Sequence, residues 1–319
     1  MYKVICLLCL VTFSYATNLI DIYLSEGIQA VEKEIQKKLV LKETWKEKLK
    51  DYNTTFGYYE NLETLLVANK KKKTLHAYKI NGKKLESLET YNVIVGKDGD
   101  KEKEGDLKTP LGAYDITKKF TPSDPFYGPL AYALSYPDTL DKVQGKNGYG
   151  IWIHGSPMDG SQRDPMSKGC IVMENDIIKA FDTKINPNSA LTLVAEDEMP
   201  RTNVDELSFM LAELYRWKEA WTYNKLEEYL SFYSEEFKRF DGKNKEEFSQ
   251  MKRYVFSQSD DKEIKFSNIN ISLYPNIEGK HLFKISFFED YKSKRHTFKG
   301  NKELFVELKD GKFSIIVEK

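Results

Sequence analysis

IWIHGSPMDGSQRDPMSKGCIVM, residues 151–173, is the stretch whose reading decides the fold. A short apolar run, 151–153, leads into His154 and Gly155. A polar loop broken by Pro157, Gly160 and Pro165 follows, and then Ser167, Lys168, Gly169 and Cys170. The pattern predicts a short strand delivering a histidine, and a loop that folds back to set a thiol beside the imidazole. A cysteine nucleophile needs a base to hold it as thiolate, donors for the oxyanion, and a backbone that leaves sulfur accessible. Gly169 meets the last need, because glycine adopts strained angles and lets a substrate approach closely. A helix predicted just after the cysteine, over 174–181, would place partial positive charge near the sulfur and lower its pKa. No Asp or Asn is compelled as a third member, since a backbone carbonyl can fix the imidazole tautomer.

The first sixteen residues, MYKVICLLCLVTFSYA, read as an export signal. Lys3 is the basic start, 4–13 the apolar segment, and Ser14-Tyr15-Ala16 the small-x-small cleavage site. The apolar run is too short to cross a bilayer. Cleavage after Ala16 would remove Cys6 and Cys9, leaving Cys170 as the one thiol in an oxidising compartment. An intrachain disulfide is then impossible, and an exported lone thiol is either a nucleophile, a buried core residue or half of an intermolecular bridge.

Charge is dense but balanced, 49 basic against 49 acidic residues among 319. That balance supplies no field for nucleic acid or anionic lipid, so neither is an expected partner. The Lys70–Lys73 run reads as a solvated hairpin tip. No later apolar stretch reaches membrane length. His76, His281 and His296 are isolated on predicted strands, with no HxxxH or CxxC, so no metal site is expected. The Gly-rich loop 96–112 lacks GxxxxGK[ST] and carries four acidic residues between 98 and 104, which excludes a phosphate cradle. No GxSxG occurs, and no cofactor is expected.

Around the central stretch the chain divides into an α+β multidomain arrangement. After the signal, 1–16, residues 17–60 show apolar spacings of three and four (Leu24, Ile28, Val31, Ile35, Leu39), predicting a helical segment that packs on its own domain or dimerises. Residues 61–197 alternate short strands and turns, predicting a mostly β catalytic domain; 121–150, rich in proline and aromatics, reads as an irregular wall or lid. Residues 203–319 give helices first and then a meander of strands, the pattern of a sheet curled around helices.

At these residues the sequence resembles a known family. His154-Gly155 with Ser167-Lys-Gly-Cys170 is similar to the HG…SxGC signature of L,D-transpeptidase (YkuD-type) catalytic domains, and Thr109, Pro110 and Gly112 match its TPxG segment. The resemblance covers about 61–197. It implies an enzyme acting on peptidoglycan stem peptides, whose cysteine attacks the diaminopimelate–D-Ala bond to give a thioester. It further implies Cys170 as nucleophile, His154 as general base, the Gly155 carbonyl as orienter of His154, and the amides of Gly169 and Cys170 as the oxyanion hole. Val172 stands where most such transpeptidases carry arginine. The GCxxM form looks closer to a hydrolytic branch and resembles the cell-shape-determining L,D-carboxypeptidases of curved and helical Gram-negative bacteria. Those join the catalytic domain to a C-terminal nuclear-transport-factor-2-like domain and an N-terminal dimerising segment.

The expectation is therefore a periplasmic L,D-carboxypeptidase that trims tetrapeptide stems to tripeptides by removing terminal D-Ala. The runner-up is an L,D-transpeptidase; a reading of another class is a non-catalytic wall-binding scaffold. Arg163 and Lys168 are the candidate cations for the substrate carboxylate, Ser167 a further candidate substrate contact, and Trp152 either lines the cleft or fills the core.

Overall fold

A computed structural model describes residues 18–161 and 164–319 of the chain. The expected signal, 1–16, and the candidate Arg163 lie outside the described residues.

The N-terminal helical pattern becomes three helices, α1 (Leu19–Glu26), α2 (Ile28–Leu39) and α3 (Lys42–Leu49). It was expected to run to about residue 60, but it ends at Leu49 and a strand follows, β1 (Gly57–Tyr59). These elements do not stand apart. Trp45 and Leu49 of α3 and Tyr58 of β1 are buried in one core with Leu207, Leu211, Leu214 and Trp217 of α6 (Val204–Thr222). Each such large side chain contributes roughly 1.5–3 kcal/mol by leaving water. Trp45 also donates its ring N–H to Leu39 O at 2.7 Å, so burying the indole leaves no polar atom unmet. α1 keeps an exposed apolar face of Ile20, Tyr23 and Leu24.

The middle of the chain forms an eight-stranded sheet from β2 (Thr64–Asn69), β3 (Thr74–Asn81), β4 (Lys84–Asn92), β5 (Gly112–Phe120), β6 (Ala131–Leu134), β7 (Trp152–His154), β8 (Ile171–Val172) and β9 (Ala190–Ala195). Its order is β4-β3-β2-β9-β5-β6-β7-β8. β2 and β9 pair in parallel at the centre and are buried along almost their whole length, which is why both read as mainly apolar runs without a polar alternation. α5 (Asn175–Asp182) closes one face with Ile178 and Phe181. The segment expected to be irregular, 121–150, contains β6 and a short helix, α4 (Thr139–Val143), started by a reciprocal Asp138–Asp141 capping box. Lys70 corrects the expected hairpin tip: Lys71, Lys72 and Lys73 are exposed, but Lys70 is buried and its ammonium pairs with Glu196 at 2.7 Å.

The C-terminal part wraps a six-stranded sheet, ordered β1-β11-β12-β13-β14-β10, around α6, α7 (Leu226–Ser231) and α8 (Lys245–Ser257). Its strands are β10 (Tyr233–Arg239), β11 (Lys262–Leu273), β12 (Leu282–Ser293), β13 (Thr297–Lys309) and β14 (Lys312–Glu318). The tryptophans of α6 are core: Trp217 lies 5.8 Å from Tyr229 and 5.9 Å from Phe266, ring to ring. β1 reaches this sheet only through glycine. Gly57 has φ 149°, and a Cβ there would sit 2.1 Å from Ile271 O.

The two sheets meet through Leu65, Leu191 and Leu193 on one side and Tyr274, Phe305 and Val317 on the other. Polar bonds cross the same boundary. Tyr274 donates to Asp138 at 3.0 Å, Thr139 to Glu303 at 3.0 Å, and Lys284 pairs with Asp115 at 2.8 Å.

Candidate active site

The site is built on the last two strands of the central sheet. β7 and β8 run parallel, with Ile153 opposite Ile171 and His154 opposite Val172. Cys170 therefore enters beside Trp152. Ordinary strand spacing and rise put its Cα about 8 Å from that of His154, a gap two side chains span.

His154 is fixed from several directions. Its Nδ1 lies 2.7 Å from Gly155 O. A carbonyl only accepts, so Nδ1 carries a proton, and in the neutral ring the lone pair is then on Nε2. Met173 N donates to His154 O at 2.9 Å, and Gly155 N to Leu130 O at 3.3 Å. Position 155 has no room for a side chain, since a Cβ would meet Asn175 Oδ1 at 2.5 Å. That same oxygen accepts Ser156 N at 2.8 Å, and Ser156 Oγ donates to Met173 O at 3.0 Å.

The thiol sits on a turn closed by Ser167. Ser167 Oγ donates to Cys170 O at 2.6 Å and accepts Gly169 N at 3.1 Å, while its own amide donates to Val95 O. Gly169 takes φ +123°, and a Cβ there would lie 2.8 Å from Lys108 O. Cys170 is half-buried, its Sγ 3.4 Å from Gly150 O. The Thr109-Pro110 segment buttresses this turn from below. Thr109 Oγ1 accepts Gly96 N at 2.8 Å, and Leu111 N donates to Asp100 at 2.8 Å.

The Gly169 amide, expected in the oxyanion hole, donates to Ser167 Oγ in this structure. The helix expected over 174–181 is present as α5, but β8 separates it from the cysteine. α5 starts at Asn175, and a helix dipole fades within about one turn, so α5 instead holds the His154-Gly155 strand end through Asn175.

An aromatic wall rises over the histidine. The Tyr127 ring is 5.1 Å from His154 and 4.9 Å from Trp152, and Phe120 packs on Trp152 at 5.0 Å. Trp152 is half-buried and so serves both wall and core. Tyr127 was expected only as one of the aromatics of a wall or lid over 121–150, and Gly150 was not singled out from the sequence. The sign of Tyr127 was the Asp124-Pro125 start of a short helical turn, where Asp124 accepts Phe126 N at 2.9 Å. Lys168 lies exposed on the turn. His76 is structural, bonded to Ser87 and Thr90 at 2.8 Å each. Among the described residues no cluster of His, Cys, Asp and Glu is placed to hold a metal ion.

Comparison with known proteins follows the same division. Residues 63–192 match the family model of the L,D-transpeptidase catalytic domain, and 209–319 that of the Cds6 C-terminal NTF2-like domain. The helical cell shape determining protein Pgp2 of Campylobacter jejuni is 43% identical. Its crystal structure superposes with TM-score 0.84 over 88% of this chain and 99% of that one. Bd1075 of Bdellovibrio bacteriovorus shares the fold at TM-score 0.66 and 24% identity, covering 83% of this chain and 97% of its own. YafK of Escherichia coli K12, provisionally named an L,D-transpeptidase, is 29% identical over 109 residues, 33% of this chain. The chain spans 40% of the length of that curated relative.

Proposed function

The chain belongs to the L,D-transpeptidase family, with that family's catalytic domain joined to an NTF2-like domain, and on that premise we propose that it is an exported peptidoglycan L,D-carboxypeptidase. It removes the terminal D-Ala of tetrapeptide stems to leave tripeptides. The observation that supports this reading is the His154 Nδ1 bond to Gly155 O, which leaves Nε2 as the ring atom available to act as base, on a strand paired with the one that follows Cys170.

In the proposed mechanism His154 Nε2 takes the thiol proton and Cys170 Sγ attacks the carbonyl carbon preceding D-Ala. The Cys170 N–H stabilises the oxyanion. Collapse breaks the C–N bond, His154 returns the proton to the leaving amine, and D-Ala departs. Water then adds to the thioester while His154 accepts its proton. The C–S bond breaks, releasing the tripeptide acid, which loses its proton to solvent, and His154 reprotonates the thiolate. The hydrolytic branch is favoured by Val172, which is buried in β8 where the resembling transpeptidases carry arginine. Lys168, which is exposed, and Arg163 are the proposed partners of the substrate carboxylate, with the turn at Ser167 and Trp152 framing it.

The likeness to YafK favours a second reading, in which the amine of another stem resolves the thioester. Incubating the purified chain with disaccharide tetrapeptide separates the two. Tripeptide plus free D-Ala is expected, and cross-linked dimers would replace the first reading by the second.

Two further parts of the proposal concern context. Pgp2 is named for helical cell shape, and a comparable influence on shape is proposed for this chain. Among the described residues no helix is long and apolar enough to cross a membrane, which agrees with an exported enzyme working in the periplasm. The exposed face of α1 (Ile20, Tyr23, Leu24) is proposed to meet a second copy; sedimentation of the Leu24→Glu variant as monomer, against a wild-type dimer, is the expected result.

A further inference from the structure

A large cavity lies away from Cys170, between the two sheets. It has a volume of about 930 Å³, within the usual range of ligand sites, and lies at a domain boundary where such sites concentrate. One wall comes from the catalytic domain and includes Lys103 and Asn147; the other comes from the NTF2-like domain and includes Glu236, Lys238, Lys280 and Glu307. Its polar lining thus carries both signs of charge and amide groups.

The groove and the thiol are served by the same two loops. Asp106 accepts the amides of Lys103, at the groove, and of Lys108, whose carbonyl backs Gly169. Asn147 lines the groove, and three residues on, Gly150 O lies 3.4 Å from Cys170 Sγ. Three residues reach at most about 10 Å. Between them in sequence Tyr149 is 77% exposed, an aromatic ring held in water on the segment that runs from the groove to the cleft.

We propose that this groove is a subsite for a neighbouring repeat of the same cell-wall strand, with Tyr149 stacking a sugar ring where the strand passes from the cleft into the groove. The inference rests on the peptidoglycan reading above. A stem peptide with free carboxylates and a free amine matches a lining of lysines and glutamates. An aromatic face presented to solvent suits the apolar face of a pyranose ring. A chain whose one repeat reacts at Cys170 reaches the groove without leaving these two loops, so the groove selects polymer over isolated fragments.

The test compares kcat/KM for D-Ala release from one disaccharide tetrapeptide and from purified chains of several such repeats. In wild type the chains are expected to be preferred. In Tyr149→Ala, and in a Lys103→Glu/Lys238→Glu double variant, the ratio of chain to fragment is expected to fall about tenfold. An unchanged ratio, a parallel fall on both substrates, or no wild-type preference would overturn the proposal. If wild type releases D-Ala from neither substrate, the carboxypeptidase reading fails by itself. Retention of the same chains by immobilised Cys170→Ala protein then tests the groove alone. Retention lost in the added Lys103→Glu/Lys238→Glu background supports it, and equal retention overturns it.

Discussion

Ser167 donates its hydroxyl to the carbonyl of Cys170 at 2.6 Å, and the same oxygen accepts the amide of Gly169 at 3.1 Å. One small side chain therefore closes the turn that presents the thiol. Ser167→Ala leaves a buried carbonyl and amide without that partner, at a cost of about 1–3 kcal/mol. The expected result is a lower thermal midpoint together with a fall in kcat larger than any change in KM. A variant matching wild type in both would show that the turn holds itself.

Gly169→Ala asks a side chain to enter at φ +123° against Lys108 O. Strain of about 1–3 kcal/mol is expected, relieved by shifting Cys170. Thiol labelling with a maleimide at matched pH reads that shift as an altered rate. Equal stability and equal labelling would mean the backbone there tolerates Cβ.

Cys170→Ala and His154→Gln should each lower D-Ala release by at least about 1000-fold, the scale of removing one member of a nucleophile–base pair. Both side chains are small relative to their surroundings, so circular dichroism should remain that of the wild type. Activity retained in Cys170→Ala would end the thioester mechanism.

Asp138 gives the boundary between the two sheets a pH dependence. Burial is the largest cause raising its pKa to about 7, helped by the Asp141 carboxylate and opposed by Lys284, with Glu303 and the bonded Tyr274 hydroxyl also facing it. Unfolded, the carboxyl titrates near 3.9. Between about pH 4 and pH 7 the folded protein thus keeps a proton that the unfolded chain releases, and stability falls as pH rises through that window. One proton accounts for at most about 1.4 kcal/mol per pH unit. Asp138→Asn keeps an oxygen for the Asp141 amide but cannot ionise, so its thermal midpoint should decline less steeply over the same range. An identical slope would assign the dependence elsewhere.

Trp45→Ala tests where the N-terminal helices belong. The indole is buried beside Tyr215 of α6, with rings 5.3 Å apart, and its loss should cost about 3–5 kcal/mol. If α3 were an independent appendage, the main unfolding transition would not move.

What could be seen in the sequence was whatever repeats at short range. The stripe of α6, the long strands of the NTF2-like sheet and the HG…SKGC segment all carry their signals within a few residues. What escaped notice depends on distant partners. Gly57–Tyr59 is too short to read as a strand, and it exists because β11 pairs with it; next to it, Ile269 N bonds Glu60 at a separation of 209 positions. Lys70 looks solvated until Glu196 arrives beside it. Gly169 was legible as a special position, but whether its amide faced a substrate or Ser167 was a matter of one side-chain rotation. Tyr127 lay hidden among other aromatics, and only the turn from Pro125 aims it at His154.

The pairing of β1 with β11 makes the catalytic sheet an insertion rather than a bead on a string. The polypeptide lays down part of its last domain first, leaves to build the catalytic domain, and returns to finish. Both the entry and the exit of the catalytic domain are thereby moored to one neighbour. During synthesis the helices of 19–49 must wait, their apolar face uncovered, until α6 emerges far later. Cutting the chain after the catalytic domain would leave an orphaned flank at its start as well as a missing end, so the parts cannot be traded as independent modules.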